Sequence, residues 1–586
     1  MQPATDLPDR RTLLNDLWAI QLEKRHISDQ GIKTLAARYQ ISEVEIEGVV
    51  SFYHFFHRQP TGQYTIYVNN SVTAVHSGMG AVISAFEEAT GARIGQTDPT
   101  GTFGLYETSC IGLCDLEPAC LINFQPFTHL TPQKVKALVW QLRRGVPVEQ
   151  LANPIPQHLR YQLPPDRAVL LRPFVPGETL KPLLQLDPEE VLSTLEASGL
   201  RGMGGAFFPV GKKWRLCREQ PGNEKYILCN ADEGEPGTFK DRMLLQYLPG
   251  LVIEGMIHAA YATGAAEGWI YLRAEYRWLL PELEAAVAAY YDRGWLGAQI
   301  PAKTPFRFDI HIQLGAGAYV CGEETAMMNS LEGLRGEPRV RTYFPVERGY
   351  RQKPTVVNNV ETFAAAARVL EVGAERFAAL GTPQMKGTRL LSIAGDCERP
   401  GIYEIEWGTR LAEVLDWAGA KSTLAVQISG PSGQCIDPNY GDSCFDWDDL
   451  RCGGAVTIFN TQRDLLQILR NFSNFFAEES CGVCTPCRAG NFIFTRKLDK
   501  LAKGLGRADD YVEIQNWSNI MRQTSRCGLG RAATHALLTA MEHFPGYFSR
   551  YFTPNGVAGA QPFDLEAAVS DYRETVNKTL GTTKTN

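Results

Sequence analysis

Four cysteines near the C-terminal end of the sequence have the spacing of an iron–sulfur site. Cys481, Cys484 and Cys487 form a C-x2-C-x2-C run, and Cys527 follows further along the chain. Four thiolates are what a [4Fe-4S] cluster needs, because each iron has one outward coordination position. Zinc is the alternative, although structural zinc sites favour two C-x2-C pairs over three cysteines plus one. The spacing therefore predicts a [4Fe-4S] cluster.

A second group of cysteines lies in the N-terminal part of the sequence. Cys110 and Cys114 form a C-x3-C pair after a predicted strand, and Cys120 follows closely. The pair could hold half of a [2Fe-2S] cluster, but such a cluster takes four ligands. The upstream segment VNNSVTAVHSGMG contains no cysteine. We therefore predict that this region has lost its cluster and that its cysteines are structural or vestigial.

Two glycine-rich loops are candidate phosphate sites. The loop at 202–214 follows a predicted helix and lacks the G-x4-G-K-[ST] spacing of a P-loop. The loop at 315–324 follows a predicted strand, but its later glycines are further apart than those of the Rossmann fingerprint. Each loop alone is a weak indication of phosphate binding, and a standard dinucleotide motif is missing from the sequence.

Between the glycine-rich loops, an acidic loop directly follows the strand-like segment YILC. It contains Asn230, Asp232, Glu233 and Glu235. Ligands of an open α/β sheet bind at the carboxyl ends of its strands, and carboxylates accept hydrogen bonds from ribose or ribityl hydroxyls. A solvated acidic turn is the alternative that this motif alone leaves open.

Three arginines, Arg335, Arg339 and Arg341, precede Phe344. The arginines offer cations for a pyrophosphate, and Phe344 offers an aromatic face for stacking. Isolated arginines are, however, usually surface residues. The sequence has no G-x-S-x-G and no H-E-x-x-H motif, so hydrolase chemistry has no support.

The composition limits the classes of protein that can carry these motifs. The chain has 586 residues, 44% hydrophobic and 21% charged, with a net charge of −7, which is typical of a multidomain globular protein. The acidic balance disfavours nucleic-acid binding. The absence of a run of 18 uncharged apolar residues disfavours direct membrane insertion. We expect a cytoplasmic protein.

Hydrophobic periodicity divides the chain into segments that must position these residues. The predicted fold class is multidomain α/β, with a Rossmann-like doubly wound domain at its centre. The segments are a helical bundle at 1–60, a thioredoxin-like domain at 61–150, a proline-rich linker at 151–187, the doubly wound α/β domain at 188–385, a β-grasp insert at 386–445, a helical domain at 446–545 with the four-cysteine cluster, and a tail at 546–586 that includes a predicted helix in FDLEAAVSDYRETVNKTL.

Six motifs in order resemble the NADH-binding flavoprotein subunit of respiratory complex I and its soluble relatives. They are ASGLRGMGGAFFPVGKKW, YILCNADEGEPGTFKDR, GAGAYVCGEETAMMNSLEGLRGEPR, PTVVNNVET, ESCGVCTPCRAG and TSRCGLG. Residues 1–150 resemble the thioredoxin-like partner subunit, here fused upstream. The fused order is most similar to the diaphorase flavoprotein subunits of soluble NAD-reducing nickel–iron hydrogenases.

The resemblance implies FMN, NAD(H) and [4Fe-4S] sites at particular residues. The implied FMN site comprises Gly202, Gly204, Lys213, Asn230, Asp232, Gly322, Glu323, Asn358 and Asn359. The implied NAD(H) contacts are Phe208, Phe344, Glu235, Tyr319 and Glu324. Further implied cofactor-binding residues are Gly205, Ala206, Glu233, Arg341 and Val357. The cluster ligands are Cys481, Cys484, Cys487 and Cys527.

Two positions depart from the family pattern in the first glycine-rich loop. Met203 stands where the family usually has arginine, and Phe207 where it has glycine. A positive charge is therefore lost near the phosphate, and Arg341, where the family often has lysine, is expected to supply it.

The implied activity is hydride transfer between NAD(H) and FMN, with Glu235 positioning the nicotinamide. Single electrons then pass through the cluster to a partner iron–sulfur subunit, in a hetero-oligomer with nickel–iron hydrogenase subunits. Two alternatives keep the chemistry and change the partner: an NAD-dependent formate dehydrogenase and a complex I-type quinone reductase. A zinc-binding assembly scaffold without redox activity is the alternative from another class.

Overall fold

The chain begins with a layer of three helices that pack on the central domain. The computed structural model describes residues 9–439 and 442–552, with 569, 570 and 573. Ser28 caps the second helix through the amide of Gly31, and Ser42 and Glu45 form a capping box at the third. The helices are α1 (Leu13–Lys24), α2 (Asp29–Tyr39) and α3 (Glu43–Val50).

The next segment is a five-stranded sheet covered by two helices. Its first strand is buried along its whole length, lies parallel to the third strand and is antiparallel to the fourth. The strand order is β2-β3-β1-β4-β5. The elements are β1 (Tyr64–Asn69), α4 (Val72–His76), α5 (Met79–Thr90), β2 (Gln96–Thr97), β3 (Phe103–Thr108), β4 (Cys120–Ile122), β5 (Gln125–Phe127), α6 (Pro132–Arg143) and α7 (Val148–Leu151).

The proline-rich segment at 151–187 is hydrogen-bonded to both the central domain and the insert. It contributes a short strand, β6 (Leu159–Arg160), to the edge of the insert sheet. Buried carboxylates accept its backbone amides: Glu404 binds three successive amides at 169–171, and Glu254 binds the amide of Gly177 at 2.6 Å. The segment therefore acts as a strap across the domains.

The central domain contains a sheet in which four adjacent strands run parallel, with helices on both faces. The strand order is β11-β7-β8-β10-β9, and the edge strand β9 is antiparallel. The elements are α8 (Pro188–Ser198), α9 (Val210–Arg218), β7 (Tyr226–Ala231), α10 (Lys240–Tyr247), α11 (Pro249–Thr263), β8 (Glu267–Leu272), α12 (Leu280–Asp292), β9 (Gly297–Ile300), β10 (Phe306–Leu314), α13 (Glu324–Leu331), α14 (Pro345–Arg348), β11 (Thr355–Asn359), α15 (Val360–Val372) and α16 (Ala374–Ala378).

The core of this domain depends on close helix packing. Helix α11 is buried over nearly all of its length and lies against α15. A Cβ atom on Gly255 would lie 2.1 Å from the carbonyl oxygen of Phe363, so only glycine permits this approach of the two backbones. The parallel strands then direct the ends of β7, β10 and β11 to the same edge of the sheet.

A second sheet, of six strands, lies beside the central domain. Its order is β15-β14-β16-β12-β13-β6, with β16 parallel to β12. The elements are β12 (Thr388–Gly395), β13 (Gly401–Glu406), α17 (Leu411–Ala418), β14 (Thr423–Ile428), β15 (Gln434–Ile436) and β16 (Ala455–Asn460). The sheet therefore continues past residue 445, the limit predicted for the insert, because β16 is the central strand that joins its two halves.

Helices complete the described part of the chain. They are α18 (Leu465–Glu478), α19 (Thr485–Ala502), α20 (Ala508–Thr524), α21 (Gly528–Ala532), α22 (His535–His543) and α23 (Pro545–Ser549). Short 3-10 helices occur at Arg10–Thr12, Lys181–Leu184, Ala274–Leu279, Tyr319–Gly322, Tyr350–Gln352 and Gly430–Ser432. The helix predicted within the tail lies almost entirely outside the described residues.

These elements confirm the predicted class of a multidomain α/β protein with helical segments at both ends. Among the described residues, no single helix is long and apolar enough to span a membrane. One bent pair, α10 with α11, meets the length and composition criterion together, at an angle of 94°.

Candidate functional site

A cavity of about 1000 Å³ lies where the ends of β7 and β11 and the loop after β10 meet the six-stranded sheet and the C-terminal helices. Every predicted flavin or nicotinamide residue except Phe344 lines it. These residues are Gly202, Gly204, Gly205, Ala206, Phe208, Lys213, Asn230, Asp232, Glu233, Glu235, Tyr319, Gly322, Glu323, Glu324, Arg341, Val357, Asn358 and Asn359. The fold therefore brings the motifs together, while their individual ligand contacts remain predictions.

The first glycine-rich loop forms one wall of the cavity and leads into α9. The amide of Val210, the first residue of α9, donates to the carbonyl oxygen of Leu200 at 2.9 Å, and the helix N-terminus has no side-chain cap. Lys213, one turn into the helix, donates to the carbonyl oxygen of Val357 at 2.9 Å, and burial lowers the pKa of its ammonium. A phosphate at this helix end would complete the environment of a buried cation.

The structure explains both departures from the family pattern in this loop. Met203 is fully buried, and its amide donates to the Thr362 hydroxyl at 2.9 Å, so its side chain belongs to the core and not to the cavity. Phe207 has a φ of 53°, in the left-handed region that favours glycine. Its ring lies edge-on to Trp407 and Trp447, with centroids 5.8 and 6.0 Å away, which fastens the loop to the insert.

The acidic loop forms the floor of the cavity and contains an unpaired buried oxygen. Asn230 donates to the carbonyl oxygen of Gly322 at 2.8 Å, joining this loop to the second glycine-rich loop. Asp232 Oδ2 is buried and has no hydrogen-bond partner. Burial raises the pKa of Asp232 well above its usual value. A ligand hydroxyl would satisfy this oxygen, so the residues fit the ribityl chain of FMN.

The two glutamates of the acidic loop have different surroundings. Glu233 accepts the amides of Asp241 and Arg242 at 2.8 and 3.0 Å, so its carboxylate caps α10. Glu235 accepts the Tyr319 hydroxyl at 2.5 Å and the Ser432 amide at 2.9 Å. Burial raises the pKa of each glutamate to about 7. Of the two, Glu235 bridges the central domain and the insert.

The remaining predicted residues divide between the cavity and the surface. Glu323 accepts the first amides of α13, and Arg341 donates to it at 3.0 Å. Burial raises the pKa of Glu324, with Lys213 opposing the rise. Phe344 is 65% exposed and does not line the cavity. The prediction that Phe344 stacks on the nicotinamide therefore has no support from its position here.

Several cavity residues were given no role in the sequence analysis, because their motifs lie outside the glycine-rich and acidic loops. Lys240 is buried and forms ion pairs with Asp241 at 2.7 Å and Glu361 at 3.0 Å. The insert and the C-terminal helices supply Ser429, Ser432, Gly433, Gln434, Trp447, Asp448, Asp449, Arg451, Gly453, Gly528, Leu529, Ala532 and His535. Lys240, Gly528 and Leu529 lie in motifs quoted above, but the others have no local sequence signal.

The four predicted cluster ligands line one small cavity, together with Arg526. Cys484 and Cys527 immediately precede α19 and α21, where backbone amides favour thiolates. Burial and the proximity of the other three cysteines together raise the pKa of Cys487 to about 12. Four thiols around one space fit the donor set of a [4Fe-4S] cluster. Among the described residues, no group of three His, Cys, Asp or Glu side chains is placed to hold a single metal ion.

The two cavities are neighbours. Val320 and Leu529 line both of them. Both residues belong to a buried apolar cluster with Cys487 and Cys527. One layer of aliphatic side chains therefore separates the large cavity from the cysteines.

The fold and the site define a flavin-binding and iron–sulfur-binding redox module. Residues 195–368 match the family model described as "Nuo51 FMN-binding domain", and residues 467–551 match "NADH-ubiquinone oxidoreductase-F iron-sulfur binding region". Residues 4–143 match "Thioredoxin-like [2Fe-2S] ferredoxin". These matches confirm the predicted FMN-binding and [4Fe-4S] regions and the thioredoxin-like domain.

The chain belongs to the family of the alpha subunits of NAD-reducing hydrogenases. It is 47% identical over 578 residues to the NAD-reducing hydrogenase HoxS subunit alpha of Cupriavidus necator, covering 97% of this chain and 96% of that relative. It is 38% identical to an NADH-quinone oxidoreductase subunit of Aquifex aeolicus, over 64% of this chain and 88% of the relative. A crystal structure of an NAD+-reducing [NiFe]-hydrogenase in the H2-reduced state contains a chain that matches with a TM-score of 0.86 and 35% identity, over 98% of both chains.

Proposed function

We propose that this chain is the diaphorase subunit of an NAD-reducing hydrogenase. Its large cavity would hold FMN and NAD(H), and its four clustered cysteines would hold a [4Fe-4S] cluster that connects the flavin site to a partner iron–sulfur subunit. The observation that carries the proposal is the adjacency of the two cavities across Val320 and Leu529. Bound FMN supplies the hydride chemistry and converts two-electron into one-electron transfer, and the cluster carries the single electrons.

The protein's own contribution is to hold and orient. Lys213 provides a cation in the wall of the cavity for the flavin phosphate. Asn230 and the unpaired oxygen of Asp232 provide partners for ribityl hydroxyls. The insert lines one side of the cavity through Ser429, Ser432, Gly433 and Gln434. These groups fix the geometry on which hydride transfer depends.

Glu235 is proposed to position the nicotinamide. Tyr319 and Ser432 hold its carboxyl group in place from two different domains. With a pKa of about 7, raised by burial, the group gains negative charge as the pH rises through neutrality. The negatively charged dinucleotide should therefore bind less well above this pH than below it.

Replacing one cluster ligand tests the proposed electron path. In a Cys484→Ser variant, bleaching of the flavin by NADH should persist, because the large cavity is unchanged, whereas electron transfer to the partner subunit should be lost. Stopped-flow absorbance follows the flavin, and reduction of the partner's centres follows electron exit. Cys397→Ser is the matched control, since Cys397 is also partly buried but lies in the insert. Normal electron exit in Cys484→Ser would overturn the ligand assignment.

The partner can be identified by its metals. Purification of the native complex followed by metal analysis should give nickel together with iron. Molybdenum or tungsten would instead assign the chain to a formate dehydrogenase. A colourless protein without flavin absorption would contradict the redox function altogether.

The proposal places the chain in the cytoplasm. The cytoplasm contains the pool of nicotinamide dinucleotides that the reaction uses. All 14 cysteines are free of disulfides in the structure, which is typical of proteins in a reducing compartment. Cell fractionation tests the location.

A further inference from the structure

The thioredoxin-like domain keeps two thiols at a place where a [2Fe-2S] cluster would need four ligands. Cys110 and Cys114 lie in the loop between β3 and β4, with their sulfur atoms 3.3 Å apart. Cys120 belongs to a different hydrophobic core. The segment after β1 supplies no thiol; the hydroxyl of Thr73, in α4, instead contacts Cys114. The donor set therefore does not fit the cluster that the family model describes.

The two thiols have unequal surroundings. The amide of Gly112 donates to Cys110 Sγ at 3.4 Å, and the amide of Gly237 also donates to it. The hydrogen bond from Cys114 and the nearby Arg273 lower the pKa of Cys110 to about 6, and the same pairing raises the pKa of Cys114. Two backbone amides and Arg273 favour a thiolate on Cys110, so the surroundings suit Cys110 as the nucleophilic cysteine and Cys114 as the resolving cysteine.

We propose that Cys110 and Cys114 form a redox-active dithiol that hydroperoxides oxidise to an intramolecular disulfide. The two side chains are only 1% and 6% exposed, so a small oxidant such as hydrogen peroxide is favoured over a bulky disulfide. The sulfur atoms are in contact and must approach by about 1.3 Å to reach the bonded distance of about 2.05 Å. The glycine between them, with a φ of +72°, gives the loop a backbone that bends readily.

The reaction is balanced without any further reactant. The Cys110 thiolate attacks one peroxide oxygen, the O–O bond breaks, and the hydroxide that leaves takes up a proton to become water. This step forms a sulfenic acid on Cys110. The sulfur of Cys114 then attacks Cys110, losing its proton, and the second oxygen leaves as water. Two electrons pass from the two sulfurs to the peroxide.

The loop is connected to the large cavity through Arg273 and Tyr276. Arg273 donates to the carbonyl oxygen of Cys110 at 2.6 Å and also to that of Glu233. A Cβ atom on Gly112 would lie 2.1 Å from the Tyr276 hydroxyl, which donates to Glu233 at 2.8 Å. Closure of the disulfide therefore moves groups that hold the acidic loop. Resting on the proposed function, we infer that oxidation slows flavin reduction by NADH.

Mass spectrometry of the native complex tests the modification directly. The reduced complex is treated with hydrogen peroxide, denatured, alkylated and digested with trypsin. Because the sequence has no Lys or Arg between Arg93 and Lys134, all three cysteines of the domain fall in one peptide. We expect peroxide to remove two alkylation sites and two hydrogen masses from this peptide. Three alkylated cysteines after oxidation would overturn the proposal.

Variants separate the modification from its effect. Cys120→Ala should still lose two hydrogen masses, whereas Cys114→Ala should stop at an oxygenated Cys110. Peroxide should slow NADH-dependent flavin bleaching in the wild type but not in Cys110→Ala. Equal slowing in both would overturn the coupling to the flavin site while leaving the disulfide proposal intact.

Iron analysis adds a test that needs no variant. The dithiol would be refuted if the protein contained two irons more than its other clusters account for, and if the isolated chain gave a second cluster signal.

Discussion

At the scale of single residues, the site is built from groups that are costly to bury without a ligand. Asp232 has an unpaired buried oxygen, and Lys213 is buried with one carbonyl partner. Such groups cost stability in the empty protein, of the order of 1–3 kcal/mol for each unsatisfied partner. Ligand binding recovers this energy, so the cavity is arranged for a polar, phosphate-bearing cofactor.

Phe207 provides a prediction at this scale. Its left-handed backbone costs about 1–2 kcal/mol, and its ring contacts with Trp407 and Trp447 offset that cost. Phe207→Ala loses the ring and keeps the strain, so it should destabilise the protein by about 3 kcal/mol. Phe207→Gly loses the ring but relieves the strain, and should be about 1 kcal/mol more stable than the alanine variant. Denaturant unfolding of the wild type and of both variants measures their order of stability.

An alanine variant at least as stable as the glycine variant would contradict the strained backbone. Phe208→Ala is the control for loss of a neighbouring ring. Because Phe208 is 39% exposed, this variant should lose less stability than Phe207→Ala.

At the scale of elements, the cavity is formed by loops at the ends of parallel strands. Strands β7 and β11 pair in register, so Asn230 lies beside Asn359. The loop after β10 comes to the same edge, where Asn230 binds Gly322. The strap at 151–187 is bound by Glu404 of the insert and by Glu254 of helix α11, so it connects the insert to the central domain.

Glu404 tests the attachment of the strap. It accepts the amides of Val169, Leu170 and Leu171 at 2.7, 2.8 and 2.9 Å. In Glu404→Gln the amide nitrogen would face one of these donors, which should cost about 2–3 kcal/mol. We expect faster tryptic cleavage within 160–172, measured by limited proteolysis of the folded protein.

Glu398→Gln is the matched control. Glu398 lies in the same insert and pairs with Lys421, whose side chain is 77% exposed, so its replacement should leave cleavage of the strap unchanged. Equal protection of the strap in wild type and Glu404→Gln would show that the buried carboxylate does not hold it.

At the scale of the whole molecule, the thioredoxin-like domain is joined to the central domain by buried ions. Asp115 pairs with Arg242 at 3.1 Å and with His158 at 3.1 Å, and Asp115 and Arg242 are buried. Burial opposes ionisation of Asp115, but the charge of Arg242 and the hydrogen bond with His158 outweigh it and lower the pKa of Asp115. The interdomain pair is thus present at neutral pH, and its contribution to stability is lost as the pH falls through that lowered pKa.

Removal of this carboxylate should uncouple the domains. Asp115→Ala leaves Arg242 buried without its partner, a loss of about 3–5 kcal/mol. Calorimetry should show the N-terminal region unfolding separately and at lower temperature. Glu88→Ala, which breaks an exposed pair with Lys136 in the same domain, should leave the profile unchanged. An unchanged profile for Asp115→Ala would show that other contacts hold the domains together.

The sequence by itself determined the chemistry, because spacing within a short segment fixes which side chains can share a site. The run from Cys481 to Cys487 was assigned in this way, as was the alternation of helices and strands, whereas the acidic loop at 230–235 was assigned through its resemblance to a known family.

Tertiary structure alone decided which distant segments complete each site. The amide of Ser432 binds Glu235 across 197 residues of sequence, and Leu529 separates the two cavities. Phe344, chosen from its motif, lies outside the cavity. Contacts of this kind depend on how sheets and helices pack, and no local pattern encodes them because their energy arises only when the domains meet.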